Sequence, residues 1–119
     1  MIKEIKTSEI KNFIKNNPET VLLDVRTYEE WSTVGKPDST SLGIKTFFIT
    51  ISQDPSFIEN VKKEINKKKN VLVMCAAGSR SAIAADLLSK EGYQAVNIIG
   101  GYTGNDQDPG WVNSDLPSV

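Results

Sequence analysis

Short runs rich in valine, isoleucine and leucine recur along the chain, separated by segments whose apolar residues fall three and four positions apart. The runs predict five strands: Ile2 to Ile5, Val21 to Val25, Thr46 to Ile51, Val71 to Met74 and Ala95 to Ile98. Between them, Ser8 to Lys15 places Ile10, Phe13 and Ile14 on one helical face. Asp54-Pro55 offers a cap and first-turn proline for a helix ending near Lys68, and Thr27-Tyr28-Glu29-Glu30 has capping-box spacing. The strongest helical pattern runs from Ser81 to Glu91, with Ile83, Ala84, Leu87 and Leu88 on one stripe and Gly92 as its stop. Strands alternating with helices predict an α/β fold with a central, mostly parallel five-stranded sheet flanked by helices on both faces. Gly35 to Gly43 and the stretch after Gly100 read as irregular connections, with Trp111 and Leu116 packing back on the core.

Size and charge narrow this picture. The 119 residues, 39% of them hydrophobic, suit a single domain over residues 1–119 with one continuous core. Fourteen basic and 15 acidic residues leave a net charge of −1, so no strong field invites nucleic acid or an anionic membrane. Lys62 to Lys69 reads as the solvated end of a helix, and Trp31, Trp111, Phe47 and Phe48 as packing residues. The N-terminus alternates apolar and charged residues instead of forming a leader, which predicts a cytoplasmic protein.

Two counts bear on chemistry: the chain has one cysteine and no histidine. A Ser-His-Asp triad, a Cys-His pair and the common His-containing zinc sites are all excluded. Cysteine chemistry here needs another source of activation. The apolar run Val71 to Met74 delivers Cys75 to the carboxyl end of a strand, where open α/β sheets place their ligands. Ala76, Ala77, Gly78 and Ser79 are small enough for their N–H groups to turn inward as an anion nest. A helix opening at this loop adds its positive dipole end, and Arg80 adds a cation. Electropositive surroundings of this kind favour thiolates in general. A lone cysteine ending a core strand is more often an inert buried thiol. The joint arrangement of strand, cysteine, small-residue turn, arginine and amphipathic helix favours function.

The segment Cys75-Ala76-Ala77-Gly78-Ser79-Arg80-Ser81 resembles the C-x-x-G-x-R-S loop of the rhodanese family. Leu23-Asp24-Val25-Arg26 with Glu29-Glu30-Trp31 is similar to the family's D-V-R and E-E-aromatic stretch, and Gly100-Gly101, Trp111 and Leu116-Pro117 to its closing segment. The resemblance spans roughly residues 3 to 117. Two departures stand out: Gly35-Lys36-Pro37-Asp38 replaces the family's G-H-I-P-G-A segment, and the gap from Gly101 to Trp111 is long.

The resemblance implies a sulfurtransferase that takes sulfane sulfur from a donor such as thiosulfate onto Cys75 and passes it to cyanide or a thiol. It assigns Cys75 as nucleophile, the amides from Ala76 to Ser81 as the cradle of the persulfide, and Arg80 as the group that binds an anionic donor and orients the loop, with no metal or cofactor needed. With no second cysteine the acceptor is external, a small thiol or a sulfur-accepting protein. Asp24 and Arg26 read as architecture, with Arg26 paired to Glu29 or Glu30, and Ser79 and Ser81 as helix-capping residues whose backbone does the binding. Two alternatives stay open: a non-enzymatic binding or redox-sensing module, and a cysteine phosphatase or arsenate reductase, whose C-x5-R loop is one residue longer than the C-x4-R here.

Overall fold

The computed structural model describes residues 2–119; Met1, included in the expected domain, lies outside the described residues. The chain runs β1 (Lys3–Ile5), α1 (Ile10–Asn16), β2 (Thr20–Asp24), α2 (Tyr28–Thr33), β3 (Thr46–Phe48), α3 (Ser56–Glu64), β4 (Asn70–Met74), α4 (Ser79–Lys90) and β5 (Gln94–Ile98). Single 3-10 turns at Thr7–Glu9, Ser39–Leu42 and Trp111–Asn113 complete it. The strands form one five-stranded sheet in the order β1-β5-β4-β2-β3, and every ladder is parallel.

Strand residues alternate between two cores. Val21, Leu23, Val71 and Val73 face one side, covered by Phe57 and Val61 of α3 and Ala84, Ala85 and Leu88 of α4. Leu22, Leu72, Met74 and Ile98 face the other, with Ile10 of α1, Tyr102 and Trp111. Burial on both faces is why β2 and β4 read as unbroken apolar runs. The predicted architecture is therefore the observed one.

Several boundaries differ from expectation for local reasons. The helix expected from Asp54 to Lys68 occupies only Ser56–Glu64. Ile65 takes extended geometry and buries in the core, and Asn66 then closes a turn by accepting from the Lys68 and Lys69 N–H groups. β3 leaves the ladder after Phe48, although Ile49 and Ile51 still donate to the Asp24 and Val25 carbonyls. α4 starts two residues earlier than expected, at Ser79, and Ile83 lies outside its buried stripe at 60% exposure, while Ala85 takes the inward position. Thr27 and Glu30 form the expected capping box at the start of α2.

Candidate active site

The central strand β4 brings Cys75 to the carboxyl edge of the sheet with 1% of its surface exposed. The turn into α4 passes through Gly78, whose φ of +98° suits glycine; a Cβ there would lie 2.2 Å from the Ile99 carbonyl oxygen. This conformation points the Gly78 N–H at Cys75 Sγ, 3.1 Å away. From the first turn of α4 the Ser81 hydroxyl approaches the same sulfur at 3.3 Å. Cys75 thus sits beneath the amino end of a twelve-residue helix, where unpaired amides and the helix dipole favour negative charge.

A second loop, following β5, holds the first. The Tyr102 and Thr103 N–H groups donate to the Cys75 and Ala76 carbonyls at 2.8 and 2.9 Å, and Asn105 Nδ2 donates to the Ala77 carbonyl at 2.8 Å. Gly101 permits this approach: a Cβ there would fall 2.5 and 2.6 Å from the Cys75 and Ala76 carbonyl oxygens. Its neighbour Gly100 leaves room for the Asp108 side chain, whose Oδ1 would lie 2.1 Å from a Cβ there.

The predicted site residues divide. Cys75, Gly78 and Ser81 are buried together, whereas Ala77 and Ser79 are exposed and Ala76 and Arg80 half-buried. Arg80 does not reach the sulfur as a free cation. Its Nη1 and Nη2 donate to Glu30 Oε1 and Oε2 at 2.7 and 2.8 Å, a two-pronged pair that ties α2 to α4. The Arg80 hydrogen bonds hold the Glu30 carboxyl down to about 2, with the Thr27 N–H and hydroxyl adding to them against the cost of burial. Arg80 is raised in turn, first through the same hydrogen bonds.

The expected pairing of Arg26 with Glu29 or Glu30 is corrected. Arg26 is fully buried and grips Asp24, with Nη2 2.8 Å and Nε 3.1 Å from Oδ2, while its guanidinium stacks 4.2 Å from the Tyr102 ring centre. Asp24 also accepts the Arg26 backbone N–H, so both residues brace the turn after β2. Burial decides the pairing: a fully enclosed guanidinium needs its carboxylate alongside, and Asp24 is equally enclosed.

Sequence reasoning placed Ser79 and Ser81 as helix caps, but the helix is capped at Gly78 without a side-chain hydrogen bond, and the Ser81 hydroxyl faces the sulfur instead. It gave Glu30 a capping box but not Arg80, which Glu30 also holds, and it did not name Asn97. Asn97, 2% exposed, accepts from the Ser81 hydroxyl at 2.5 Å. The available signal for Asn97 was a polar residue inside the apolar run Ala95-Val96-Asn97-Ile98. A hollow of about 520 Å³ beside β1 and α1 is lined by residues that include Lys3, Glu4, Phe13 and Val96, and Cys75 is not among them.

Known proteins resemble this chain in sequence and in fold. A rhodanese-like domain model matches residues 6–107. An uncharacterized protein of Rickettsia prowazekii (strain Madrid E) is 34% identical over 120 residues, covering 98% of this chain and 97% of its own length. Chloroplastic thiosulfate sulfurtransferase 16 of Arabidopsis thaliana is 31% identical over 98 residues, covering 81% of this chain and 77% of its own. A crystal structure of a protein from M. tuberculosis superposes with a TM-score of 0.85 at 26% identity, covering 98% of this chain and 96% of that one. With the loop built on Cys75, the doubly covered parallel sheet and a family match over most of its length, the chain belongs to the rhodanese-like domain family.

Proposed function

We propose that the chain is a sulfurtransferase that carries sulfane sulfur as a persulfide on Cys75. The observation that carries this reading is the sulfur's position: at the end of β4, under the amino end of α4, with the Gly78 N–H and the Ser81 hydroxyl both within hydrogen-bonding distance. Its thiosulfate sulfurtransferase relative supports the same chemistry.

In the first step the Cys75 thiolate attacks the sulfane sulfur of a donor such as thiosulfate. The new Sγ–S bond forms as the donor's S–S bond breaks, and that electron pair leaves with sulfite. In the second step cyanide or an external thiolate attacks the terminal sulfur, and the Sγ–S pair returns to Cys75. Charge moves between Sγ and the terminal sulfur, and the small-residue loop from Ala76 to Ser81 offers N–H donors to both positions. Arg80 has two roles in this scheme. Its pairing with Glu30 orients the loop, and its side chain, 37% exposed, stays open to an anionic donor arriving from solvent. As the chain holds one cysteine, the acceptor is a separate molecule, a small thiol or a partner protein.

Treatment with thiosulfate followed by intact mass spectrometry tests the reading. One added sulfur atom is expected, removed by cyanide and absent from Cys75→Ala. If neither thiosulfate nor a persulfide donor loads the folded protein, the reading fails and a binding or redox-sensing module takes its place.

A further inference from the structure

Behind Cys75 lies a buried hydrogen-bond chain that the sulfur cradle alone does not require. Asn97 pairs with Val73 across the β4–β5 ladder, and residues in register point to the same face. Cys75 follows Val73 by two positions, so Asn97, Val73 and Cys75 share that face. Ser81 comes down onto it from α4. The Ser81 Oγ lies 3.3 Å from Cys75 Sγ and 2.5 Å from Asn97 Oδ1, with Ser81 wholly buried and Asn97 2% exposed.

A hydroxyl has one proton, so Ser81 cannot donate to both neighbours. The orientation of Asn97 settles the resting direction. Its Nδ2 faces two acceptors, the Gly78 carbonyl at 3.2 Å and a Glu4 carboxylate oxygen at 3.4 Å. A flipped amide would set its oxygen against both of them. Oδ1 therefore faces Ser81 and can only accept.

We propose that Ser81 and Asn97 form a single-proton toggle that follows the charge on Cys75 Sγ. While Sγ is neutral, the hydroxyl donates to Asn97 and presents a lone pair toward the sulfur. When Sγ is anionic it can only accept, and the hydroxyl turns to it. Asn97 is thus a positioning residue acting through Ser81. The reaction steps rest on Cys75 being the sulfur carrier. During loading, charge passes from Sγ to the terminal sulfur and the Ser81 proton returns to Asn97. During unloading, the S–S pair returns to Sγ and the hydroxyl turns to stabilise the departing thiolate. The Gly78 N–H, held by backbone geometry, stays on Sγ throughout.

The rate of Cys75 alkylation by iodoacetamide between pH 5 and 10, followed by intact mass, reads the toggle without any sulfur donor. Asn97→Asp keeps the shape, holds the hydroxyl proton and adds negative charge, so alkylation at pH 7 falls about tenfold or more, the scale of a hydrogen bond to a charged group. That deficit narrows as the pH is raised. Asn97→Ala releases Ser81 toward the sulfur, so alkylation at pH 7 is at least as fast as in the parent, and adding Ser81→Ala removes the gain. Ser81→Ala alone slows alkylation at pH 7 about tenfold and changes little volume, so it carries the test if an Asn97 variant fails to fold. Asn97→Ala slowing alkylation as much as Asn97→Asp, or Ser81→Ala leaving the profile unmoved in a folded protein, would overturn the proposal. A protein that shows the toggle but takes up no sulfur refutes the sulfurtransferase reading alone.

Discussion

Single residues carry most of the site's geometry. Gly78 combines a left-handed backbone with a 2.2 Å clash between any Cβ and the Ile99 carbonyl oxygen. Gly78→Ala is expected to cost about 2 kcal/mol or more and to displace the N–H that points at Cys75, seen as a lower urea midpoint and slower alkylation of the cysteine. Arg26 and Asp24 show the opposite case, two charges enclosed together. Removing one charge leaves the other without compensation, so Asp24→Ala is expected to cost about 3 to 5 kcal/mol in urea unfolding. A loss below about 1 kcal/mol would mean that Arg26 finds water or another acceptor.

Between elements, the Glu30–Arg80 pair docks α2 against the first turn of α4, and its effect depends on pH. Glu30 is held at about 2, below its ordinary 4.5, through the Arg80 hydrogen bonds first. A carboxyl lowered by folding contributes stability that is fully present above the unfolded value and lost as pH falls through the folded one. That contribution should therefore persist to about pH 4.5 and disappear toward pH 2. Because the Arg80 side chain is 37% exposed, solvent screening limits it to about 1 kcal/mol. Glu30→Gln should lower stability by about that amount at pH 7 and flatten the fall between pH 4.5 and 2, measured by urea unfolding across pH. An unchanged slope would place the acid sensitivity elsewhere.

For the whole molecule, the two segments that depart from the family pattern are joined to the rest by the chain's last residues. Lys36 and Val119 exchange backbone hydrogen bonds, the Asp38 N–H donates to the Pro117 carbonyl, and Pro37 faces Ser118 in an antiparallel bridge. The buried Trp111 also donates its indole N–H to the Pro117 carbonyl at 2.6 Å. A second tie holds the far end: Asp108 accepts from Thr7 and Gly110, and although burial raises its carboxyl, these hydrogen bonds together hold it below its ordinary range. Ending the chain after Leu116 should orphan the Trp111 indole and release the Lys36 to Asp38 segment. The expected cost is about 1 to 3 kcal/mol, with faster amide exchange confined first to residues 35–43 and 111–116. Uniform exchange through the sheet instead would show that the tail serves the whole core.

Apolar periodicity is a local property, and it carried the class of fold, the order of elements and the position of Cys75. The runs around Leu22 and Leu72 are unbroken because both faces of the sheet are covered, so they were legible without knowing what covers them. The turn from Cys75 to Ser81 was legible too, because a tight strand-to-helix connection restricts which residues fit. Partners distant in sequence were not. Glu30 reaches Arg80 across 50 positions and Asn97 reaches Ser81 across 16, while Gly101 meets the carbonyls of Cys75 and Ala76 from another loop. These contacts depend on the register of parallel strands and on where helices cross the sheet. A spacing pattern contains neither, so the tertiary structure alone decided that Arg26 belongs to Asp24, Arg80 to Glu30, and Ser81 to both the sulfur and Asn97.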